Sequence, residues 1–230
     1  MNFNLMVGTI TTVVLFLPPL LIAGGRLISN GSLLGLFFYY LFTAIYNLMT
    51  LNFMNLPLLV KRYAAVCFNY LDTPLMLLIL LFFCNERWKR RLVFVALAFF
   101  LLYEIAIGIL FRLDVESSVY LLGPGTLLIL GLSIFFFTHY GKITIVHGKE
   151  VGKTFMLVSI LFSYGCFLVL YYLHYLLRTP AVADVFLIYY IDVLLSTILM
   201  SIGLFWLIKR NRELKELQIT RKELALFFDN

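Results

Sequence analysis

Apolar runs long enough to cross a bilayer recur along almost the whole chain, and they settle the fold class before any motif is considered. A transmembrane helix needs about 20 predominantly apolar residues. On that criterion the 230-residue sequence divides into seven spans, near 4–25, 33–60, 63–84, 92–111, 119–138, 154–177 and 184–208. Backbone polar groups find no partner in hydrocarbon, so spanning segments must satisfy their own hydrogen bonds, and continuous runs of this length do so as helices. Only 13% of the residues are charged, about half the share in soluble domains, so the chain belongs in lipid. The expectation is an all-α membrane protein, a seven-transmembrane helix bundle over 1–208 with a cytoplasmic amphipathic tail over 209–230 and no room for a separate soluble domain.

The second span is interrupted by Asn47, Asn52, Asn55 and Pro57 and is longer than one straight crossing needs, so it reads as a tilted or kinked helix with a short outer turn before Lys61. The first span lacks the basic start of a signal peptide and is read as a membrane helix. Orientation follows from Lys and Arg, which favour the cytoplasmic side. With the N-terminus outside, the inner segments hold Arg26, the 87–91 group, Lys142, Lys149, Lys153 and the basic residues of the tail, while the outer side holds only Lys61, Arg62, Arg112 and Arg178 of the 18. That asymmetry gives N-out/C-in and a multi-pass protein of the cytoplasmic (inner or plasma) membrane. The net charge of +6 therefore borders lipid, making membrane lipids the expected partner and nucleic acid not one.

The connections are short, as in an up-down bundle. The longer inner loop, "HYGKITIVHGKEVGK" at 139–153, is read as a small hairpin, and Gly123 and Gly125 around Pro124 as loosening or kinking the fifth helix. In the tail, Leu214, Leu217, Leu224 and Phe228 recur near helical spacing, and Thr220 with Glu223 fits a capping box that restarts a helix. The tail is thus an interfacial helix, or a docking helix for a cytoplasmic signalling partner or a second protomer in a homo-oligomer. Cys67, Cys84 and Cys166 show no paired or metal-ligand spacing and are read as buried thiols.

Three acids interrupt the spans: Asp72, Glu104 and Asp192. A carboxylate at membrane depth is costly and normally meets a polar partner or a cavity. Counted along their helices, the three fall in a common layer of the outer half. Helical spacing puts Asn69, Asp72, Thr73 and Met76 on one side of the third span, and Tyr189, Asp192 and Ser196 on one side of the seventh. Tyr171, His174 and Tyr175 add polar groups on the sixth span. The arrangement is either a polar pocket or interhelical glue made of hydrogen-bonded carboxyls.

The third span, "YAAVCFNYLDTPLMLLILLFF", resembles helix three of microbial rhodopsins through Thr73, Pro74, Leu75 and the apolar run after them. The seventh span resembles their last helix, in which an Asp beside the retinal Schiff base stands one turn before the chromophore lysine. Asp192 matches that Asp, and Ser196 stands at the lysine position. The resemblance implies a rhodopsin-like bundle, and a non-covalent retinoid or carotenoid as the ligand. No lysine lies within any span, and alignment on Pro74 puts Phe68 and Ala65 at the family's proton-accepting Asp and its Arg. No covalent cofactor is therefore expected, because a Schiff base needs an amine inside the bundle.

The leading functional reading is a lysine-less, rhodopsin-like protein that binds a small apolar ligand in a sensory or accessory role, with signal passing to the tail or the 85–91 loop. Asp72, Thr73, Asn69, Glu104, Tyr189, Asp192 and Ser196 are its candidate ligand-binding or proton-relay residues. A proton-coupled transporter or channel using the intramembrane carboxylates is the second reading. An integral membrane enzyme acting on an isoprenoid lipid through paired carboxyls is the third; metalloprotease, serine-hydrolase, phosphate-loop and dinucleotide signatures are missing from the sequence.

Overall fold

A computed structural model of the chain describes residues 3–54, 56–111, 115–173 and 182–228. Among them are eight α-helices: α1 (Phe3–Leu15), α2 (Leu17–Gly24), α3 (Gly31–Thr50), α4 (Leu58–Leu80), α5 (Arg87–Phe111), α6 (Val115–His147), α7 (Val151–Tyr171) and α8 (Val182–Phe228). A single 3-10 turn, Leu81–Phe83, extends α4. With α1 and α2 counted as one crossing, seven segments are long and apolar enough to span a membrane. This is a multi-pass membrane architecture, as the apolar runs require.

The first crossing breaks at Phe16 because Pro18 and Pro19 follow. Proline is tolerated in the first turn of a helix, where its missing N–H has no partner to lose, so α2 restarts there. Asn30 starts α3 by accepting a hydrogen bond from the Ser32 N–H at 3.1 Å. The second crossing ends at Thr50, earlier than the sequence suggests, because Asn52 adopts a left-handed backbone (φ 60°) and its side chain receives the Lys61 ammonium. Asn55 lies outside the described residues, as do Arg112, His174, Tyr175 and Arg178.

Two further expectations are corrected. The 139–153 segment is no hairpin: α6 continues to His147, and the turn into α7 is made by left-handed Gly148 (φ 62°) and Glu150 (φ 60°). The tail does not restart at Thr220 either. That residue lies within α8, its hydroxyl returned to the Glu216 carbonyl at 3.1 Å, so the helix continues past the bundle without a break. At 1.5 Å per residue α8 is about 70 Å long, roughly twice the hydrocarbon thickness.

Antiparallel neighbours pack around a core that includes Leu36, Ile79, Leu80, Phe83, Phe136, Tyr140, Met156 and Leu204. The most extensive contact joins α7 and α8, where Gly152 and Gly203 meet backbone to backbone. A Cβ at Gly152 would lie 2.7 Å from the Gly203 carbonyl oxygen, and one at Gly203 would lie 2.8 Å from the Gly152 oxygen. Small residues allow this approach, which is how membrane helices gain packing without a hydrophobic driving force between them. Gly125 does the same between α6 and α4, where a Cβ would strike the Thr73 hydroxyl. The Gly-Pro-Gly segment is therefore a packing site inside an unbroken α6. α5 sits at the rim against α4 and α6, presenting Phe99, Leu102, Ile105 and Ile109 outward.

Candidate functional site

Helical periodicity aligns polar groups into stripes, and four stripes converge on one internal cavity. α3 contributes Tyr39, Tyr40 and Thr43; α4 contributes Asn69 and Asp72; α7 contributes Ser163 and Tyr164; α8 contributes Tyr189, Asp192, Ser196 and Thr197. Leu15, Phe68, Leu122, Phe167 and Val193 complete the wall. The volume is about 80 Å³, room for two or three waters at ~30 Å³ each.

The two carboxyl groups are held differently. Asp72 has Tyr39 and Tyr164 as hydrogen-bonding neighbours, and the Tyr164 hydroxyl donates to its Oδ2 at 3.0 Å. Asp192 is 4% exposed. Its hydrogen-bonding neighbour is the Cys166 thiol, a weak donor, and its Oδ1 has no partner among the described residues. A buried polar atom without a partner calls for a specific reason, and the cavity next to it supplies one, since a water or an ion there would satisfy it.

The surrounding hydroxyls are mostly committed to main chain. Ser196 donates to the Val193 carbonyl at 3.1 Å, Thr197 to the same carbonyl at 2.6 Å, and Ser159 reaches across from α7 to the Ser196 carbonyl at 2.6 Å. These bonds leave the hydroxyl oxygens able to accept, and they tie α7 to α8 directly beside Asp192. On α3, Asn47 stands one turn beyond Thr43, 1% exposed, and neither its amide oxygen nor its nitrogen has a partner among the described residues.

Of the seven residues expected from sequence, the fold brings Asn69, Asp72, Tyr189, Asp192 and Ser196 onto the cavity. Thr73 and Glu104 are not on it. Thr73 is turned to α6, where it packs on Gly125. Glu104 is carried by peripheral α5, and its Oε2 is shielded without a partner among the described residues, so the three acids do not share one site. Sequence reasoning passed over Tyr39, Tyr40, Thr43, Ser163, Tyr164 and Thr197. The signal for α3 was present, because Tyr40, Thr43 and Asn47 recur at helical spacing; for α7 it was a Ser-Tyr pair in an otherwise apolar run.

On the tail side of the cavity the same helices close completely. Leu36, Leu80, Phe83, Phe136 and Met156 are buried, with the Ser133 hydroxyl among them, and Tyr140 donates to the Phe83 carbonyl at 2.8 Å. The cysteines depart from expectation: Cys67 is exposed at the bundle surface, and Cys84 and Cys166 are half-buried, all three free. Burial pushes the Cys84 thiol up to about 11, which leaves it protonated near neutral pH. Among the described residues no cluster of His, Cys, Asp and Glu forms a multidentate metal site. Comparison with protein-family models, with curated proteins and with solved structures gave no match to this chain.

Proposed function

We propose that the protein is a membrane sensor that takes up a small cation, the proton included, in the cavity between Asp72 and Asp192 and passes the change along α8 to the tail. One observation carries this reading: the helix that places Asp192 and Ser196 in the cavity wall runs without a break to Phe228. Neutralising or satisfying the Asp192 carboxyl alters the face that α8 shows to α7. A rigid helix converts such a shift into displacement of its far end. The excess of Lys and Arg at that end supports a cytoplasmic position for it.

The size of the cavity supports a small occupant. Ligand pockets for organic molecules run from about 300 Å³ upward, several times the roughly 80 Å³ found here, so a retinoid or carotenoid would enter only after the bundle opened. Asp192 and Ser196, the two residues that carry the resemblance to the last rhodopsin helix, both line the cavity. The packed apolar layer below weighs against a continuous channel in this conformation, and transport would require the two layers to exchange access.

The decisive experiment measures thermal unfolding of the purified protein across pH, and in sodium, potassium or choline salts at constant ionic strength. The expected result is a response to pH or to one small cation that Asp192→Asn removes. A response that survives Asp192→Asn and Asp72→Asn would overturn the proposal. Spectra recorded after expression with and without retinal address the occupant: a stoichiometric bound polyene would replace the cation with a chromophore.

A further inference from the structure

A second cavity, of about 420 Å³, lies at the tail end of the bundle, where the turn before α3, the start of α7 and the departing α8 come together. Its walls are of two kinds. Leu33, Phe82 and Leu207 form an apolar side, while Lys153 and Arg210 bring positive charge. The Lys153 ammonium sits 5.5 Å over the Phe82 ring and 5.0 Å over the Tyr140 ring, a placement that holds a cation against aromatic surface. Both cations share one acid: Lys153 is 3.3 Å from Glu150 Oε2, and Arg210 is 3.0 Å from Glu150 Oε1. Two cations on one carboxylate leave a surplus positive charge facing a half-apolar cleft at the level where the helices leave the apolar layer. The N-terminus of α3 adds the positive end of its dipole, since Asn30 lines the same cavity.

We propose that this cleft is a headgroup site for an anionic phospholipid of the tail-side leaflet. The phosphate meets Arg210 and Lys153, and the apolar wall takes the first methylenes of the acyl chains. A zwitterionic phospholipid carries its own cation and gains little from the surplus charge, and free phosphate has no use for Leu33, Phe82 and Leu207. Occupancy would fix the point at which α8 leaves the bundle. This inference does not depend on what the Asp72–Asp192 cavity binds.

The test uses the full chain, delipidated in mild detergent and titrated with phosphatidylglycerol or phosphatidylcholine, with binding read by native mass spectrometry and by the rise in unfolding temperature. Phosphatidylglycerol should stabilise the wild type and phosphatidylcholine should not, since a ligand that binds only the folded state raises its stability by mass action. Arg210→Gln should weaken phosphatidylglycerol binding by about tenfold or more, whereas Arg221→Gln, on the exposed extension, should not. Glu150→Gln separates the proposal from a purely structural role for the ion pairs: with the acid neutralised, affinity for phosphatidylglycerol should rise. Equal stabilisation by both lipids, an equal effect of inorganic phosphate alone, or unchanged affinity in both Arg210→Gln and Glu150→Gln would each overturn it.

Discussion

Around Asp72 and Asp192 the helices face one another with hydroxyls, an amide and two carboxyls; further along the same helices, around Phe83 and Phe136, they face one another with rings and aliphatic chains. The difference extends to hydrogen bonding. In the apolar layer Tyr140 has its hydroxyl engaged by the Phe83 carbonyl and the orphan is a single hydroxyl, Ser133, whereas in the polar layer a carboxyl oxygen of Asp192 and, nearby, both Asn47 amide atoms have no partner among the described residues. Packing free energy is therefore concentrated on the tail side, and Asp192 and Asn47 keep unspent hydrogen-bonding capacity beside the cavity. Binding needs the second kind of region and a stable frame needs the first.

Substitutions on the tail side should have the largest effects. Gly152→Leu or Gly203→Leu forces a side chain against a carbonyl oxygen of the facing helix, and the loss should exceed about 4 kcal/mol; neither variant should give a monodisperse peak in size-exclusion chromatography. Phe136→Ala removes a ring that is 0% exposed and should cost about 3–5 kcal/mol. Leu122→Ala, whose side chain already borders the void, should cost less, near the low end of about 2 kcal/mol for such truncations. Thermal unfolding of the two variants side by side checks the comparison, and equal losses would mean that the layers do not differ in packing.

The seven crossings were legible because an apolar run of about 20 residues has few other destinations. Their ends were less so. Asn52 ended α3 through a left-handed backbone, which no propensity announces, and Thr220 resembled a helix start although its hydroxyl bonds back to Glu216 within α8. Half of the site was legible too. Asn69 with Asp72, and Tyr189 with Asp192 and Ser196, were found because spacing along one helix fixes which residues share a face. Rotation of one helix against another is set by contacts such as Gly125 on Thr73, and it decided that Thr73 turned away from the cavity and that Glu104 stayed at the rim.

Within the polar layer the two aspartates should respond unequally. Tyr164→Phe leaves Asp72 Oδ2 without its 3.0 Å donor and should cost about 1–3 kcal/mol, the penalty for stranding a buried acceptor. Asp192→Asn removes no strong bond, because Oδ1 has none to lose. It should change stability by less than about 1 kcal/mol, within the range of a weak hydrogen bond, while abolishing the cation response. Unfolding temperatures with and without the responding ion separate the two, and a stability loss in Asp192→Asn as large as that in Tyr164→Phe would show that Asp192 is structural glue.

The smallest effect should come from outside both layers, and it serves as the control for any acid response. Glu86, in the turn before α5, accepts hydrogen bonds from the Lys89 ammonium at 2.6 Å and from the Trp88 ring N–H. Lys89 and Trp88 hold its carboxyl below the ordinary 4.5. A carboxyl with a lowered folded value contributes stability that is present above its unfolded value and is lost as the pH falls through the folded one. Glu86→Gln should therefore flatten only the part of the stability profile below about 4.5, and by little, because the Glu86 carboxyl is open to solvent and screened there. An acid response arising in the cavity must survive Glu86→Gln and vanish in Asp192→Asn; a response that vanishes in Glu86→Gln instead would locate the proton switch in the turn before α5.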